Sequence, residues 1–210
     1  MTGILAIETG TEACSLATYR DGDYVERFEV TPRLHYQRFF ALLDDLLPEG
    51  GLARSGINAI AYGCGPGSFT GLRIGVTAAK TLSYALGLPL VSVDSLAAIA
   101  AAALDRNVSA SAVCVATNAY RGQVFAGTFT RDSLLPPADA IPADWTAHPK
   151  TTRILDKNEW ASMRESLPHQ TSFAGDEKPL GEYADDRLDR KCDAVGVGLL
   201  GIRAASLGAF

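Results

Sequence analysis

Residues 63–75 read Gly-Cys-Gly-Pro-Gly-Ser-Phe-Thr-Gly-Leu-Arg-Ile-Gly, with glycine at five of thirteen positions. The stretch follows a strand-like run, Ile57 to Tyr62, and leads into a helical pattern, Leu72 to Leu86. Glycine between a strand and a helix lets backbone come close to something: a phosphate, another helix or another chain. Three nucleotide or catalytic motifs fail here. A P-loop needs Lys and then Ser or Thr after its last glycine, but Leu72 follows Gly71. A dinucleotide fingerprint started at Gly65 and Gly67 meets Thr70 where a small residue is needed. A nucleophile elbow around Ser68 would need glycine where Pro66 and Thr70 stand.

The surrounding pattern is mixed α/β. Ile4 to Glu8, Ala13 to Tyr19 and Tyr24 to Val30 read as strands, with Asp21-Gly22 as a hairpin turn. Thr31 and Pro32 open a helix whose Phe39, Leu42, Leu43, Leu46 and Leu47 form one apolar stripe, and Pro48 to Gly51 stop it. Gly87 and Pro89 close the glycine-motif helix. Leu90 to Val93 is a strand, and Asp94 or Ser95 caps an alanine-rich helix to Leu104. The order β-β-β-α-β-α-β-α indicates a mixed sheet.

A second, weaker round follows. Ala112 to Thr117 and Val124 to Thr130 are strands around a turn at Tyr120 to Gln123. Residues 135–150 hold four prolines and read as irregular. Asn158 to Leu167 is helical, with Trp160, Met163 and Leu167 on one side, and Thr171 to Ala174 is a strand. Val195, Leu199 and Ile202 mark a last helix, weakened by Gly196, Gly198 and Gly201. The expected division is 1–104 and 105–210, with the last helix able to pack back on the first part.

The motif Gly65-Pro66-Gly67-Ser68-Phe69-Thr70-Gly71-Leu72-Arg73-Ile74-Gly75 resembles the signature of the TsaB (YeaZ) family. Ile4-Leu5-Ala6-Ile7-Glu8-Thr9, Thr11-Glu12-Ala13-Cys14-Ser15 and Val91-Ser92-Val93-Asp94-Ser95-Leu96 agree as well, so the resemblance is strong over residues 3–100 and thin afterwards. It implies a duplicated, ribonuclease H-like fold of the actin/Hsp70/sugar-kinase (ASKHA) type with mixed sheets. It also implies a cytoplasmic, non-catalytic scaffold in synthesis of tRNA N6-threonylcarbamoyladenosine. The partners implied are TsaD, which carries the metal and the chemistry, and the ATPase TsaE. A homodimer is expected when the protein is alone, and tRNA is engaged through the complex. Relatives usually continue into a short extended tail beyond the position of Phe210.

The same resemblance places a partner interface on Gly65, Pro66, Gly67, Ser68, Phe69, Thr70, Gly71, Leu72, Arg73, Gly75 and Val76. Phe69, Leu72 and Val76 would be apolar anchors and Arg73 a rim cation. The structural alternative is that Gly71 and Gly75, four residues apart, let another helix of the same chain approach closely. Glu8 and Thr9 occupy the loop that faces nucleotide phosphate in ASKHA kinases; the structural reading has Thr9 and Thr11 bonding the turn instead. No cofactor is expected for the chain alone, and ATP only within the complex. The competing reading is a free-standing ASKHA phosphotransferase using Glu8, Thr9 and Gly65 to Ser68 on ATP.

Metal chemistry is disfavoured. TsaD carries a His-x-x-x-His motif where this chain has Ser95 and Ile99, and a hydroxyl and an alkyl group do not replace two imidazoles. His35, His148 and His169 are scattered in sequence, and Cys14, Cys64, Cys114 and Cys192 are dispersed. These thiols read as reduced and partly buried, with the reactivity of Cys64 open. A family segment that usually presents two carboxylates has Asn118 and Gln123 here, so a general base is lost at both. The net charge of −5 argues against an independent nucleic-acid footprint. The sequence has no uninterrupted apolar run of about 18 residues and no basic leader.

Overall fold

The computed structural model describes residues 3–20, 22–30, 35–47, 51, 55–168, 171–176, 179 and 194–210. Asp21, the Thr31-Pro32 helix start, His169 and Cys192 lie outside them.

Alternation along β1 (Ile4–Glu8) fixes the first layer. Every residue of the strand is buried, so both faces are covered. Leu5 and Ile7 point to one side, and Ile4 and Ala6 to the other. β1 pairs antiparallel with β2 (Ala13–Arg20), which pairs antiparallel with β3 (Asp23–Val30). On its other edge it runs parallel to β4 (Ala59–Gly63), which runs parallel to β5 (Leu90–Val93). The sheet order is β3-β2-β1-β4-β5. Leu5 and Ile7 pack against the stripe of α1 (His35–Leu46), where Phe39, Leu42, Leu43 and Leu46 are buried, together with Ala79 of α2 (Phe69–Leu86).

The opposite face is lined by small residues: Ala6, Ala17, Ala59 and Ala61. All residues from Ser95 to Leu104 of α3 (Ser95–Arg106) are buried, as a helix apolar all round must be. α3 packs against β6 (Ala112–Asn118) and against the last helix, α6 (Ala194–Ser206). α6 covers β1, β2 and β4. Its glycines weaken helix propensity by about 1 kcal/mol each, yet Gly196 and Gly201 make the approach possible. A Cβ on Gly196 would fall on the carbonyl of Ala98, and one on Gly201 would lie 2.7 Å from the Cβ of Ala61. Burial of Val195, Val197, Leu199 and Leu200 outweighs the propensity loss, at about 1.5–3 kcal/mol each.

The second sheet has the order β8-β7-β6-β9. β7 (Val124–Thr130) is antiparallel to β6, β8 (Arg153–Leu155) is antiparallel to β7, and β9 (Ser172–Gly175) is parallel to β6. This repeats the pattern β3-β2-β1-β4 of the first sheet. α5 (Lys157–Ser166) covers the outer face through Trp160, with a capping box between Asp156 and Glu159. The four-residue α4 (Arg131–Leu134) and the three-residue β8 have no counterpart in the sequence reading, being too short to show a period. The helix expected from Leu72 starts three residues earlier, at Phe69, because Ser68 caps it: the Ser68 hydroxyl accepts from Gly71 N. Gly71 and Gly75 are therefore helical residues.

Candidate functional site

β1, β4 and β5 are adjacent and parallel, so their carboxyl ends open at one edge of the sheet. That edge gathers Glu8, the loop after Gly63, and Asp94 with Ser95. It is where α/β sheets usually bind ligands.

Here the edge is closed by the chain itself. Glu8 is 1% exposed. Its Oε1 accepts from Gly10 N at 2.7 Å, and the Ser95 hydroxyl also donates to the carboxyl. Ser95 Oγ accepts from Gly65 N at 3.1 Å, and Ser95 N donates to Gly65 O at 2.9 Å. The carboxyl lies where a side chain at residue 63 would begin, so only glycine fits there. Burial pushes the Glu8 carboxyl above its ordinary range. Donation from Ser95, Gly10 and Thr9 offsets this in part, and the Asp94 carboxylate adds to it.

The loop after β1 is bolted to the start of α2. Ser68 N donates to Gly10 O at 2.6 Å, and Thr9 Oγ1 donates to Gly71 O at 2.8 Å. A Cβ on Gly71 would fall on the Thr9 carbonyl, one on Gly75 on the Thr9 hydroxyl, and one on Gly67 on the Gly10 carbonyl. Thr11 Oγ1 accepts from Ala13 N at 3.3 Å. These residues do not fit a nucleotide phosphate: the amides of Gly10 and Ser68 are already engaged, and the two loops touch. They do not fit a transition metal either. Ser95 is committed to Glu8 and Gly65, Ile99 is buried, and among the described residues no group of three His, Cys, Asp or Glu side chains could hold an ion.

The outward side of α2 is different. Phe69 is 74% exposed, and the Arg73 guanidinium stacks over its ring at 5.1 Å. Thr70 is exposed, Leu72 and Val76 are half-buried, and Gly65, Gly71 and Gly75 are buried. Pro66, Gly67 and Ser68 are half-buried, and the Gly65–Pro66 peptide is cis. Leu72 leans on Gly65 and Gly10. Beside this face a groove of about 440 Å³ separates α1 from α2, walled by Phe39, Phe40, Ile74, Thr77 and Leu82. Phe40 is 57% exposed in this groove, and Tyr84, further along α2, is 93% exposed. Neither was singled out from the sequence; the visible signal was a second aromatic beside the α1 stripe.

Two further sites resolve differently. His148 is scattered from the other histidines in sequence, but the fold brings it against the loop: its Nδ1 lies 3.9 Å from Cys64 Sγ and its Nε2 3.0 Å from Ser92 Oγ. The contact spans 84 residues, so no local spacing announces it. Cys64 reaches the surface, yet burial of its inner side, with the Asp94 and Glu8 carboxylates, pushes its thiol up to about 11. Asn118 and Gln123 flank the β6–β7 turn. Asn118 Oδ1 accepts from Tyr120 N at 2.8 Å, Asn118 N donates to Asp176 Oδ2 at 2.7 Å, and Gln123 N donates to Tyr120 O at 2.9 Å. Among the described residues no helix is long and apolar enough to cross a membrane.

Comparison with known proteins agrees with this architecture. Residues 28–179 match the family model described as TsaD: tRNA N6-adenosine threonylcarbamoyltransferase. The tRNA threonylcarbamoyladenosine biosynthesis protein TsaB of Escherichia coli is 43% identical over 129 residues, covering 61% of this chain and 55% of the relative. Its namesake from Bacillus subtilis is 32% identical over 148 residues, covering 68% of this chain and 63% of the relative. The matched stretch thus spans little more than half the length of these relatives. The solved structure of YeaZ from Pseudomonas aeruginosa superposes with a TM-score of 0.75 at 28% identity, covering 99% of this chain and 95% of that one. The ASKHA-like fold follows from that superposition, and with the family match it means that the chain belongs to the TsaB (YeaZ) family, within the TsaD-related, glycoprotease-like superfamily.

Proposed function

We propose that this chain is a non-catalytic subunit of the bacterial machinery that makes tRNA N6-threonylcarbamoyladenosine, and that it docks on a TsaD-type subunit through the outward face of α2. The names of its relatives place them in that biosynthesis. The observation that carries the docking assignment is Phe69, 74% exposed and braced by Arg73, on a helix whose inward face is locked to β1. An exposed aromatic with a stacked arginine has the composition of an interface hot spot. In this reading TsaD performs the transfer to the adenosine beside the anticodon, TsaE supplies ATP hydrolysis, and tRNA is held by the assembly in the cytoplasm. The same face pairs two copies when the partner is absent.

The phosphotransferase alternative is disfavoured by the loops of Gly10 and Ser68, which bond each other where phosphate would sit. Reconstitution decides. TsaD, TsaE, ATP, tRNA and threonylcarbamoyl-adenylate should yield modified tRNA only when this chain is added, and this chain without TsaD should yield none. ATP turnover by the purified chain alone, or full activity without it, defeats the proposal.

A further inference from the structure

We propose that the buried carboxyl of Glu8 is a protonation-controlled latch that sets the order of the first turn of α2 and the presentation of Phe69. Its consequence for docking rests on the function proposed above.

The path is short and consists of hydrogen bonds. Glu8 Oε1 holds Gly10 N, Gly10 O holds Ser68 N, and Ser68 caps α2 through its hydroxyl on Gly71 N at 3.4 Å and its carbonyl on Leu72 N at 2.8 Å. Thr9, between Glu8 and Gly10, holds Gly71 O. The carboxyl is enclosed by the ends of β1 and β4 and the start of α3, with Gly63 against one side and Ser95 against another. α2 brings Leu72 to the same cluster.

A neutral carboxyl sits in that enclosure at modest cost, whereas an ionised one loses its hydration. Among the described residues, the titratable neighbours include Asp94 at the α3 cap, Cys14 on β2 and Cys64 after β4. Asp94 has the wrong sign to help, and His148 lies close enough to act on it. The two thiols stay protonated, pushed up to about 12 and about 11. Relief therefore comes from opening the Thr9–Gly10 turn to water, which releases Ser68. The folded state holds a proton that the unfolded chain gives up. The latch is thus at full strength below the ordinary carboxyl range and is lost as pH rises through the raised value of the folded state.

The test is hydrogen exchange on the intact chain from pH 5 to pH 9, expressed as protection factors for amides 68–75 with intrinsic rates divided out. Wild-type protection should fall about tenfold or more with rising pH. Glu8→Gln keeps the shape without the charge and should hold the low-pH protection throughout. Ser95→Ala removes a donor that favours the ionised form, so the fall should move to higher pH. Flat wild-type protection, or the same fall in Glu8→Gln, overturns the latch. If the exchange pattern holds while a TsaD-type subunit binds at no pH, the latch stands and the docking reading fails.

Discussion

The hydroxyl of Thr9 donates to the carbonyl of Gly71 at 2.8 Å, across 62 residues of sequence. This bond ties the end of β1 to the first turn of α2 and explains two of the motif glycines. Gly71 and Gly75 face Thr9, leaving Phe69 and Arg73 to face outward.

Substitution at these glycines should reveal the contact. Gly71→Ala places a methyl on the Thr9 backbone and should cost about 2–3 kcal/mol in urea unfolding. Gly75→Ala clashes with the Thr9 hydroxyl and makes ordinary contacts elsewhere, so Thr9→Ala in the same chain should recover about 1 kcal/mol of its loss. Additive losses in that double-mutant cycle would show that the two positions do not touch.

Phe69→Asp should leave unfolding stability within about 0.5 kcal/mol of wild type, because the ring is already in water. Binding to a TsaD-type subunit, measured by calorimetry, should weaken by about 2–4 kcal/mol, or roughly 30- to 1000-fold. Unchanged affinity removes Phe69 from the interface.

Two glycines on α6 should respond with opposite signs. At Gly198 a Cβ makes ordinary contacts at 3.5 Å or more, so Gly198→Ala should stabilise by about 0.5–1 kcal/mol through helix propensity. At Gly201 the Cβ would lie 2.7 Å from that of Ala61, so Gly201→Ala should destabilise by about 1–3 kcal/mol. Stabilisation by both would mean that α6 does not press on β4.

Cys64 should alkylate slowly at pH 7.5 despite reaching the surface, since its thiol is pushed up to about 11. Its rate with iodoacetamide, followed by mass spectrometry of the Cys64 peptide, should rise about tenfold per pH unit between pH 8 and pH 10. A neutral-pH rate equal to that of a free cysteine would show an activated thiol instead.

The first half of the fold was legible because its signals are local: the β1 and β2 runs, the α1 stripe from Phe39 to Leu46, and the Asp94 cap. The start of α2 was misplaced because Gly71 carries low helix propensity, and its tertiary contact with Thr9 overrides that. α6 looked doubtful for the same reason: Gly196 and Gly201 read as helix breakers until Ala98 and Ala61 are seen against them. The motif itself was visible, but not which of its residues face inward. That division depends on where β1 lies, which no spacing within residues 63–75 contains. The meeting of Cys64 with His148 needs both halves assembled.

The position of α6 has a consequence for how the molecule is made. Ser15 Oγ accepts from Ala194 N, a contact spanning 179 residues. A nascent chain that has finished β1, β2 and β4 still presents Ala6, Ala17, Ala59 and Ala61 uncovered, and they stay so until residues 194–206 leave the ribosome. Contacts of such sequence separation form late and slowly. The alanine-lined face is therefore the last part of the first sheet to gain its cover during synthesis.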